Sequence, residues 1–452
     1  MIAYRNLRVA LLGAGSVGAQ VATLLTEHHE ELASRVGAGL DLIGIAVRDV
    51  DAPRTAPIDP ALFTTDAMGL IESADIVIEL MGGIEPARSY ILHALNSGAD
   101  VVTGNKALLA AHGPELQAAA EQVGAQVYYE AAVAGAIPII RPLRDSLAGD
   151  RVKRILGIVN GTTNFILDKM DVEGDTFENA LAVATELGYA EADPTADIEG
   201  YDAAQKAAIL ARLAFHTDVP VEAVHREGIT QITAAQVSKA QKAGYVVKLL
   251  AICERITDPT SGVDGVSARV YPALISRQHP LAAVHGGKNA VFVEAEAAGD
   301  LMFYGAGAGG IETASAVLGD VVSAARRHVA GGPGVAETTH ANLTILPIDS
   351  VSTRYQITLE VSDAPGVLAR IASLFSEHGV SVETVQQSIA SVESGAVKSD
   401  ALSAGTSESS GTATLVIVTH VASERALSRT VADIADQQVV VRVESVLRVE
   451  GA

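Results

Sequence analysis

Short apolar runs alternate with alanine-rich amphipathic segments over the first 150 residues. The runs have the length of strands, and the segments between them repeat apolar positions at helical spacing. Strand and helix in strict alternation predict right-handed crossovers and a parallel sheet, and hence an α/β fold. The predicted strands are 7–12, 40–47, 75–80, 100–103 and 126–129, and the predicted helices are 17–28, 86–97 and 107–123.

The pattern changes at about residue 151 to a mixed α/β segment. Apolar runs predict a second, separate sheet, and two further stretches have helical periodicity. A glycine-rich stretch, 304–310, leads into an Ala/Val-rich helix that runs to about His328 and is expected to pack back on the first domain. The predicted strands are 154–159, 268–271 and 291–296, and the two helices lie near 177–187 and 200–217.

A compact third unit follows Arg354, with its elements in the order strand, helix, strand, strand, helix, strand. This order is typical of a ferredoxin-like fold. The stretch 388–411, rich in Ser, Gly and Ala, is predicted to be a mobile loop inside it. The predicted elements are 355–361, 366–378, 380–387, 412–419, 423–436 and 439–449.

These patterns divide the chain into three domains and a linker. Three glycines and Pro333 at 331–334 interrupt the helical pattern and mark the linker. The predicted domains are 1–150, 151–330 and 353–452, and the predicted linker is 331–352.

Composition narrows the partners that the chain can have. Against 54 acidic residues it has only 32 basic ones, a net charge of −22, which argues against nucleic acid or an anionic membrane as main partner. One cysteine, Cys253, excludes an intramolecular disulfide and a Cys-based zinc site. No apolar run reaches the roughly 18 residues of a membrane span, and the N-terminus lacks a secretion signal. We therefore expect a soluble, cytoplasmic protein.

The clearest motif, G-A-G-S-V-G, comes directly between the first predicted strand and helix. In such a turn Gly13 permits the sharp bend, Gly15 lets a pyrophosphate approach the backbone, and Gly18 allows close helix–strand packing. Ser16 and Val17 open the helix, whose N-terminus supplies N–H groups and positive dipole. The context therefore predicts dinucleotide binding.

The end of the second strand bears on the choice of dinucleotide. An acidic residue usually follows here and holds the ribose 2′-hydroxyl of NAD, whereas this chain has Arg48 first and Asp49 next. A guanidinium accommodates a 2′-phosphate, which favours NADP. Use of NAD stays open because of Asp49, and a merely solvent-exposed Arg48 is the alternative.

Two lysines are candidates for catalysis. Lys106 follows the strand 100–103 in the sequence T-G-N-K, which delivers it to the ligand-binding edge of a parallel sheet. Lys206 and Asp202 are four residues apart and share a face of the helix that Gly200 opens. An acidic loop and an ordinary surface salt bridge are the alternative, but the helix is so apolar that its few charges should be buried.

Five motifs follow in an order that resembles the homoserine dehydrogenase family over residues 1 to about 330. They are G-A-G-S-V-G, V-T-G-N-K, Y-E-A-A-V-A-G-A-I-P, N-G-T-T-N-F-I-L and L-G-Y-A-E-A-D-P-T-A-D-I-E-G-Y-D-A-A-Q-K. The terminal unit, with D-A-P-G-V-L at 363–368, resembles an ACT domain. The resemblance implies NADP(H)-dependent interconversion of homoserine and aspartate semialdehyde, a catalytic and dimerisation role for 151–330, and a homodimer or homotetramer.

The resemblance also implies the roles of individual residues. Lys206 would be the general acid/base, although Lys106, which would also contact substrate and cofactor, is left open as the proton carrier. An unperturbed lysine, with a pKa of ~10.4, is a poor base at neutral pH, so burial or a neighbouring cation is required. The acids Glu191, Asp197 and Asp202 would hold the substrate or orient Lys206. The nicotinamide cofactor would also contact Asn105.

Two glycine-containing turns receive further roles from the resemblance. A monovalent cation, expected to be Na⁺, would be held by the Glu130 carboxylate with main-chain carbonyls of Val133, Gly135 and Ile137. A plain turn before a proline-started helix is the alternative. Gly307, in the second glycine-rich loop, would approach the cofactor, unless that loop is only a hinge.

Threonine is the expected effector of the ACT-like unit, bound near the loop 362–366. Ordinary capping of the following helix by Asp363 with Pro365 and Gly366 is the other interpretation of that loop. Three other functions share some of these features: a bifunctional enzyme, for which a kinase domain has no room, another amino-acid dehydrogenase, and a catalytically inactive amino-acid sensor. The order of the motifs argues against the second, and the presence of both lysines argues against the third.

Overall fold

A computed structural model of the protein describes residues 4–54, 56–332, 337, 339–389 and 411–451. Its first part is a six-stranded parallel sheet with helices on both faces, in the strand order β3-β2-β1-β4-β5-β6. The strands are β1 Leu7–Leu12, β2 Leu40–Ala46, β3 Phe63–Thr64, β4 Ile76–Glu79, β5 Asp100–Thr103 and β6 Val127–Tyr128. The helices are α1 Ser16–Glu27, α2 His29–Val36, α3 Ala67–Glu72, α4 Ala87–Asn96 and α5 Lys106–Val123.

This sheet confirms the predicted Rossmann-type fold. Its central strands are apolar and fully buried because helices cover both faces, which explains why they stand out in the sequence as continuous apolar runs. The strand order reverses between β1 and β4, and ligands bind at such a switch point outside the carboxyl ends of the strands.

The second part adds six strands and six helices. The strands are β7 Val152–Ile158, β8 His225–Arg226, β9 Tyr245–Thr257, β10 Asp264–Ser276, β11 Lys288–Ala295 and β12 Gly299–Ala306. The helices are α6 Gly161–Glu173, α7 Phe177–Glu186, α8 Thr195–Ile198, α9 Tyr201–Phe215, α10 Ala234–Lys242 and α11 Gly310–Ala330. Helix α9 lies on β9 and β10, and the apolar side chains of its inner face are buried there.

Helix α11 returns to the first sheet. Ala314, Val317 and Val321 of this helix are buried in one apolar cluster with Leu7 of β1 and Val21 of α1. The first sheet is thus completed by a helix that follows it by almost 200 residues of chain, and the crevice at the carboxyl ends of its strands is bordered by both parts.

The last part has the ferredoxin-like order that was predicted. Its four long strands are adjacent in the order β18-β14-β16-β15, the ACT arrangement, with both helices packed on the sheet. The strands are β13 Thr344–Ile345, β14 Ser352–Ser362, β15 Val382–Ile389, β16 Thr412–Thr419, β17 Ala422–Ser423 and β18 Val440–Glu450. The helices are α12 Val367–Glu377 and α13 Glu424–Ala435. Of the loop predicted at 388–411, residues 390–410 lie outside the described residues, as does Pro333 in the linker.

The second sheet is not confined to the second part. It is separate from the first sheet, as predicted, but β18 pairs in parallel with β10 through Ala273 and Arg448, Leu274 and Val449, and Ile275 and Glu450. One twelve-stranded sheet therefore runs through the middle and C-terminal parts of the chain. In the described part of the chain, no helix combines the length and apolar character needed to cross a membrane.

Candidate active site

The turn between β1 and α1 has the conformation that phosphate binding requires. Gly13 has φ +101°, and a Cβ there would lie 2.8 Å from the carbonyl oxygen of Leu80. A Cβ on Gly18 would lie 2.2 Å from the carbonyl oxygen of Gly13, so the helix packs against the turn only because both residues are glycine. Gly15 faces open space and caps α1 without a side chain, which leaves the first N–H groups, from Ser16 onward, for a ligand.

A cavity of about 690 Å³ opens at this turn, at the carboxyl ends of the strands. Gly13 and Gly15 form one wall, while Arg48 and Asp49 lie together at the end of β2. Arg54, which the sequence analysis missed, lines the same cavity, donates a hydrogen bond to the carbonyl of Ala52 and lies 4.2 Å above the ring of Phe63. The cavity therefore has two guanidinium groups on the side where a ribose 2′-substituent would lie.

Asn105 organises the loop that leads into α5. Its Oδ1 accepts a hydrogen bond from the N–H of Leu108 at 3.2 Å and caps the helix, while its Nδ2 donates to the carbonyl of Gly83 at 2.6 Å. Lys106 is therefore the first residue of α5 and projects from the end of the sheet toward α9. The residue predicted to contact cofactor thus also holds Lys106 in place.

Lys106, Asp202 and Lys206 form one cluster at the junction of the first and second parts. The Nζ of Lys106 lies 2.6 Å from Asp202 Oδ1, and the Nζ of Lys206 lies 2.7 Å from Asp202 Oδ2. Lys206 also donates to the carbonyl of Val159 at 2.7 Å. The side chain of Lys206 is only 9% exposed, whereas that of Lys106 is 43% exposed. The structure therefore confirms the prediction that the charged side chains of α9 are buried.

The two lysines differ in their readiness to lose a proton. Burial lowers the pKa of Lys206, and the positive charge of Lys106 lowers it further, against the opposing effect of Asp202. Burial also acts on Lys106, but Asp202, Asp197 and Glu191 outweigh it and raise the pKa of that lysine. Burial would raise the pKa of Asp202, yet the two lysines hold it well below its usual range. Lys206 is thus the better base.

Asn160 joins the acidic residues and was given no role in the sequence analysis. Its Nδ2 donates to Asp197 Oδ1 at 2.6 Å and to Asp202 Oδ2 at 2.9 Å, while its Oδ1 accepts the N–H of Thr163 and caps α6. Burial raises the pKa of Asp197. The N-G-T-T motif was the signal for this residue, but its partners lie about forty positions away in sequence.

Glu191 lies in the exposed loop between α7 and α8. No hydrogen bond of its side chain is found among the described residues, but its charge is close enough to raise the pKa of Lys106. The structure therefore brings Lys106, Glu191, Asp197, Asp202 and Lys206 to one edge of the first sheet.

The Glu130 carboxylate, predicted to be a cation ligand, is hydrogen-bonded within the protein. The carboxylate is buried and accepts four hydrogen bonds: from the main-chain N–H groups of Ile139, Ile140 and Arg141, and from Arg141 Nε. These donors hold it against the segment after Pro138, which it caps, and its role as a cation ligand stays a prediction. The other predicted ligands, the main-chain carbonyls of Val133, Gly135 and Ile137, belong to a turn where Ala134 and Gly135 have positive φ.

The second glycine-rich loop lies against this turn. A Cβ on Gly135 would lie 2.4 Å from the carbonyl oxygen of Gly307, and a Cβ on Gly307 would overlap the amide of Asn289. Gly310 comes close to the carbonyl oxygen of Ser16 at the start of α1. Gly307 therefore belongs to a loop that borders the dinucleotide turn, and it is itself packed between Asn289 and Gly135.

The loop before α12 leaves a helix N-terminus without a side-chain cap. Gly366, with φ +92°, is the N-cap, and the N–H of Asp363 donates to the carbonyl of Gly411 at 2.8 Å. Gly366 thus has the capping position that was predicted for this loop, while the Asp363 side chain takes no part in the cap. The loop is exposed at 363–366.

Comparison with known proteins agrees with this geometry. A family model of the homoserine dehydrogenase NAD-binding domain matches residues 13–130, the homoserine dehydrogenase model matches 138–322, and the ACT model matches 355–398. The homoserine dehydrogenase of Corynebacterium glutamicum is 53% identical over 98% of this chain and 95% of its own length. That of Bacillus subtilis is 40% identical over 99% of both chains.

Solved structures agree as well. A homoserine dehydrogenase from Thiobacillus denitrificans superposes with a TM-score of 0.88, 37% identity and coverage of 99% of this chain and 98% of its own. A hyperthermophilic archaeal homoserine dehydrogenase, solved with NADPH, has a TM-score of 0.59 and 28% identity over 73% of this chain and 99% of its own.

The nucleotide fold and the lysine–carboxylate cluster at its edge define an NAD(P)-dependent oxidoreductase. The chain belongs to the homoserine dehydrogenase family, in the form that carries a C-terminal ACT domain. Its reaction interconverts L-homoserine and L-aspartate 4-semialdehyde, a step of amino-acid biosynthesis. The alternatives of another amino-acid dehydrogenase and of an inactive sensor are thereby excluded.

Proposed function

We propose that Lys206 is the general acid/base of this dehydrogenase. The observation that carries the proposal is the buried contact of its Nζ with Asp202, beside the positive charge of Lys106. When NADP(H) is bound, it supplies the hydride for reduction or accepts it for oxidation. Charged Lys206 gives its proton to the aldehyde oxygen as the C–H bond forms, and neutral Lys206 takes the hydroxyl proton as that bond breaks.

Lys106 acts in the same site as a permanent charge. Its raised pKa keeps it protonated, so it lowers the pKa of Lys206 and attracts the oxygen on which negative charge develops. Its place at the start of α5 lets it face both substrate and cofactor. Lys106 is therefore assigned to binding and electrostatic stabilisation, and Lys206 to proton transfer.

The acids bind the amino group of the substrate. Homoserine and aspartate semialdehyde both carry an ammonium group, which requires a carboxylate partner in a partly buried site. Glu191 and Asp197 are the acids of the cluster that form no ion pair with either lysine among the described residues. Asp202 orients Lys206.

The preferred cofactor is NADP. Gly13, Gly15, Ser16, Val17 and Gly18 bind the pyrophosphate at the start of α1. A 2′-phosphate pairs with Arg48, and Arg54 lies in the same cavity. The archaeal relative solved with NADPH supports this choice. NAD is accepted less well, through Asp49.

A monovalent cation, Na⁺, is assigned to the Glu130 carboxylate with the main-chain carbonyls of Val133, Gly135 and Ile137. Its role is structural, because proton and hydride transfer are complete without it. The contact of Gly135 with Gly307 places this turn between the first and second parts of the molecule, where a bound cation would hold them together.

Threonine is assigned to the ACT part, at the exposed loop 363–366 and the uncapped start of α12. Deletion of everything after residue 334 is a poor test, since it removes β18 and exposes the edge of β10. Asp363→Ala in the full chain is sharper: reduced threonine inhibition with unchanged activity supports the assignment, and unchanged inhibition contradicts it. A homodimer or homotetramer and a cytoplasmic location stay predictions.

The decisive experiment follows absorbance at 340 nm with homoserine and NADP⁺, then NAD⁺, with the wild type, Lys206→Met and the exposed-lysine control Lys153→Met. Homoserine-dependent reduction, lost in Lys206→Met but retained in the control, supports the proposal. NADPH binding, followed by the fluorescence of its reduced nicotinamide, checks that the inactive variant is folded. Full activity of a folded Lys206→Met protein would overturn the assignment of the proton to Lys206.

A further inference from the structure

A second cavity, of about 320 Å³, lies away from the lysine cluster. It is lined by helix α5, helix α9, Glu337 and Thr339, and by Arg144 from the short helix Pro142–Ser146 that precedes β7. Arg212 enters from α9, six residues after Lys206, and therefore points to a different face of that helix. The known reaction makes no use of this cavity.

Two buried guanidinium groups face it with unused donors. The side chain of Arg144 is 7% exposed, and Arg212 is equally buried. Arg212 Nη1 donates to the carbonyl of Leu109 at 3.2 Å. Within the described ranges, Arg144 Nη1 and Arg212 Nε and Nη2 are buried without a hydrogen-bond acceptor. A buried cation with unmatched donors is costly, so the site is built to receive acceptors.

Glu337 reaches the cavity but does not satisfy these donors. Its Oε1 accepts the hydroxyl of Tyr129 at 2.6 Å, and its Oε2 accepts Gln117 Nε2 at 3.2 Å. Arg144 Nη1 lies 3.9 Å from Oε1, which is too far for a hydrogen bond. Burial raises the pKa of Glu337. The carboxylate thus compensates part of the charge and leaves the guanidinium donors open.

We propose that this cavity binds a small oxyanion, a carboxylate or a phosphate, in competition with Glu337. Planar guanidinium groups match the paired oxygens of such ligands. The volume is about ten times the ~30 Å³ that one water occupies in the liquid, so a small molecule fits. The exposed residues Pro114, Ala118 and Glu121 of α5 form the rim through which it would enter.

The test titrates the full chain with sodium acetate, inorganic phosphate and, as a neutral control, acetamide, by isothermal calorimetry. Saturating NADP⁺ is present throughout, because free phosphate would otherwise bind at the start of α1. Glu337→Gln removes the competing charge while keeping the shape. We expect it to bind at least one of the two anions tenfold more tightly than the wild type, and acetamide not at all.

Arg212→Met and Arg144→Met, each combined with Glu337→Gln, should abolish this binding. NADP⁺ binding and thermal unfolding show whether each variant is folded. If one arginine variant does not fold, the variant of the other arginine tests the proposal. Binding of acetate alone assigns a carboxylate site, and binding of phosphate a phosphate-accepting one. Equal affinity of wild type and Glu337→Gln, equal binding of acetamide, or binding that survives both arginine substitutions would overturn the proposal and leave water as the occupant.

Discussion

The Nζ of Lys206 lies 2.7 Å from Oδ2 of Asp202, one helical turn earlier in α9, and both side chains are buried. In this environment the two charges interact far more strongly than they would at the surface. The carboxylate therefore sets how readily the lysine releases its proton. In homoserine oxidation neutral Lys206 must accept the hydroxyl proton, so kcat/KM should rise with pH through the pKa of Lys206.

Asp202→Asn removes the group that raises the pKa of Lys206. We expect the rising part of the kcat/KM profile to move to lower pH, while its plateau falls by about tenfold or more because the lysine loses its orienting partner. Steady-state rates between pH 6 and 10 measure both effects. A shift to higher pH would contradict the assigned role of Asp202.

Lys106→Met should shift the same profile the other way. Without the positive charge of Lys106, Asp202 acts on Lys206 alone and the pKa of Lys206 rises. The rising part of the profile then moves to higher pH, and KM for homoserine increases. If Lys106 itself carried the proton, the pH-dependent activity would vanish instead of shifting, which separates the two lysines.

Arg48→Ala tests the cofactor choice. Loss of its charge should raise KM for NADP⁺ about tenfold or more and leave KM for NAD⁺ nearly unchanged, because only NADP⁺ carries the 2′-phosphate. Arg35→Ala, an exposed arginine on α2, is the matched control and should change neither value. An equal rise in KM for both cofactors would show that Arg48 does not interact with the 2′-phosphate.

Gly15→Ala and Gly18→Ala should fail in different ways. A Cβ on Gly18 would meet the carbonyl oxygen of Gly13 at 2.2 Å, so that variant should lose stability as well as NADP⁺ binding. A Cβ on Gly15 meets nothing within 4 Å, and it enters only the space reserved for pyrophosphate. We expect Gly15→Ala to unfold like the wild type but to bind NADPH weakly, as thermal unfolding and titration of NADPH fluorescence would show.

Arg448 of β18 connects the middle and C-terminal parts. It donates to Glu227 at 2.9 Å and to Glu424 at 2.5 Å, and it lies 4.3 Å above the ring of Tyr271. Arg448→Met removes the positive charge that both acids share, one of them fully buried, and should lower the free energy of unfolding by about 3–5 kcal/mol at pH 7, measured with urea. Arg442→Met, on the exposed face of the same strand, should have a much smaller effect.

The difference in the free energy of unfolding between wild type and Arg448→Met depends on pH, and Glu227 sets the direction of that dependence. Burial opposes ionisation of Glu227, but His225 and Arg448 lower its pKa to about 2. The stabilisation from this acid is therefore present above the unfolded value near 4.5 and is lost as pH falls through about 2. The gap between wild type and Arg448→Met should narrow over that range. A gap that widens on acidification would contradict the pairing.

The first sheet could be predicted because parallel strands covered on both faces are continuous apolar runs. Strand β9 was missed, although Val246–Cys253 is almost entirely apolar, since Lys248 interrupts it. That lysine is fully buried, donates to Asn164 Oδ1 and to the carbonyl of Val284, and has its pKa lowered to about 8 by burial. Partners so distant in sequence leave no local pattern.

The active-site residues also divide into those that local spacing predicts and those that depend on long-range packing. Asp202 and Lys206 could be paired from their spacing on one helix, and their burial from the alanines around them. Asn160 could not, because its contacts with Asp197 and Asp202 depend on how α6 and α9 pack. For Glu130 the capping contacts could not be predicted either, because a carboxylate that caps a chain segment and one that binds a cation look identical in sequence.

The parallel pairing of β18 with β10 gives the C-terminal part a mechanical role. A regulatory unit attached only through a flexible connection could rotate without disturbing its neighbour. Here a rotation would shear the hydrogen bonds that join Leu274 and Val449 and would twist β10 itself. Helix α9 lies directly on β9 and β10 and carries Lys206. A twist of this sheet would therefore act directly on the helix that holds the proton-transferring lysine.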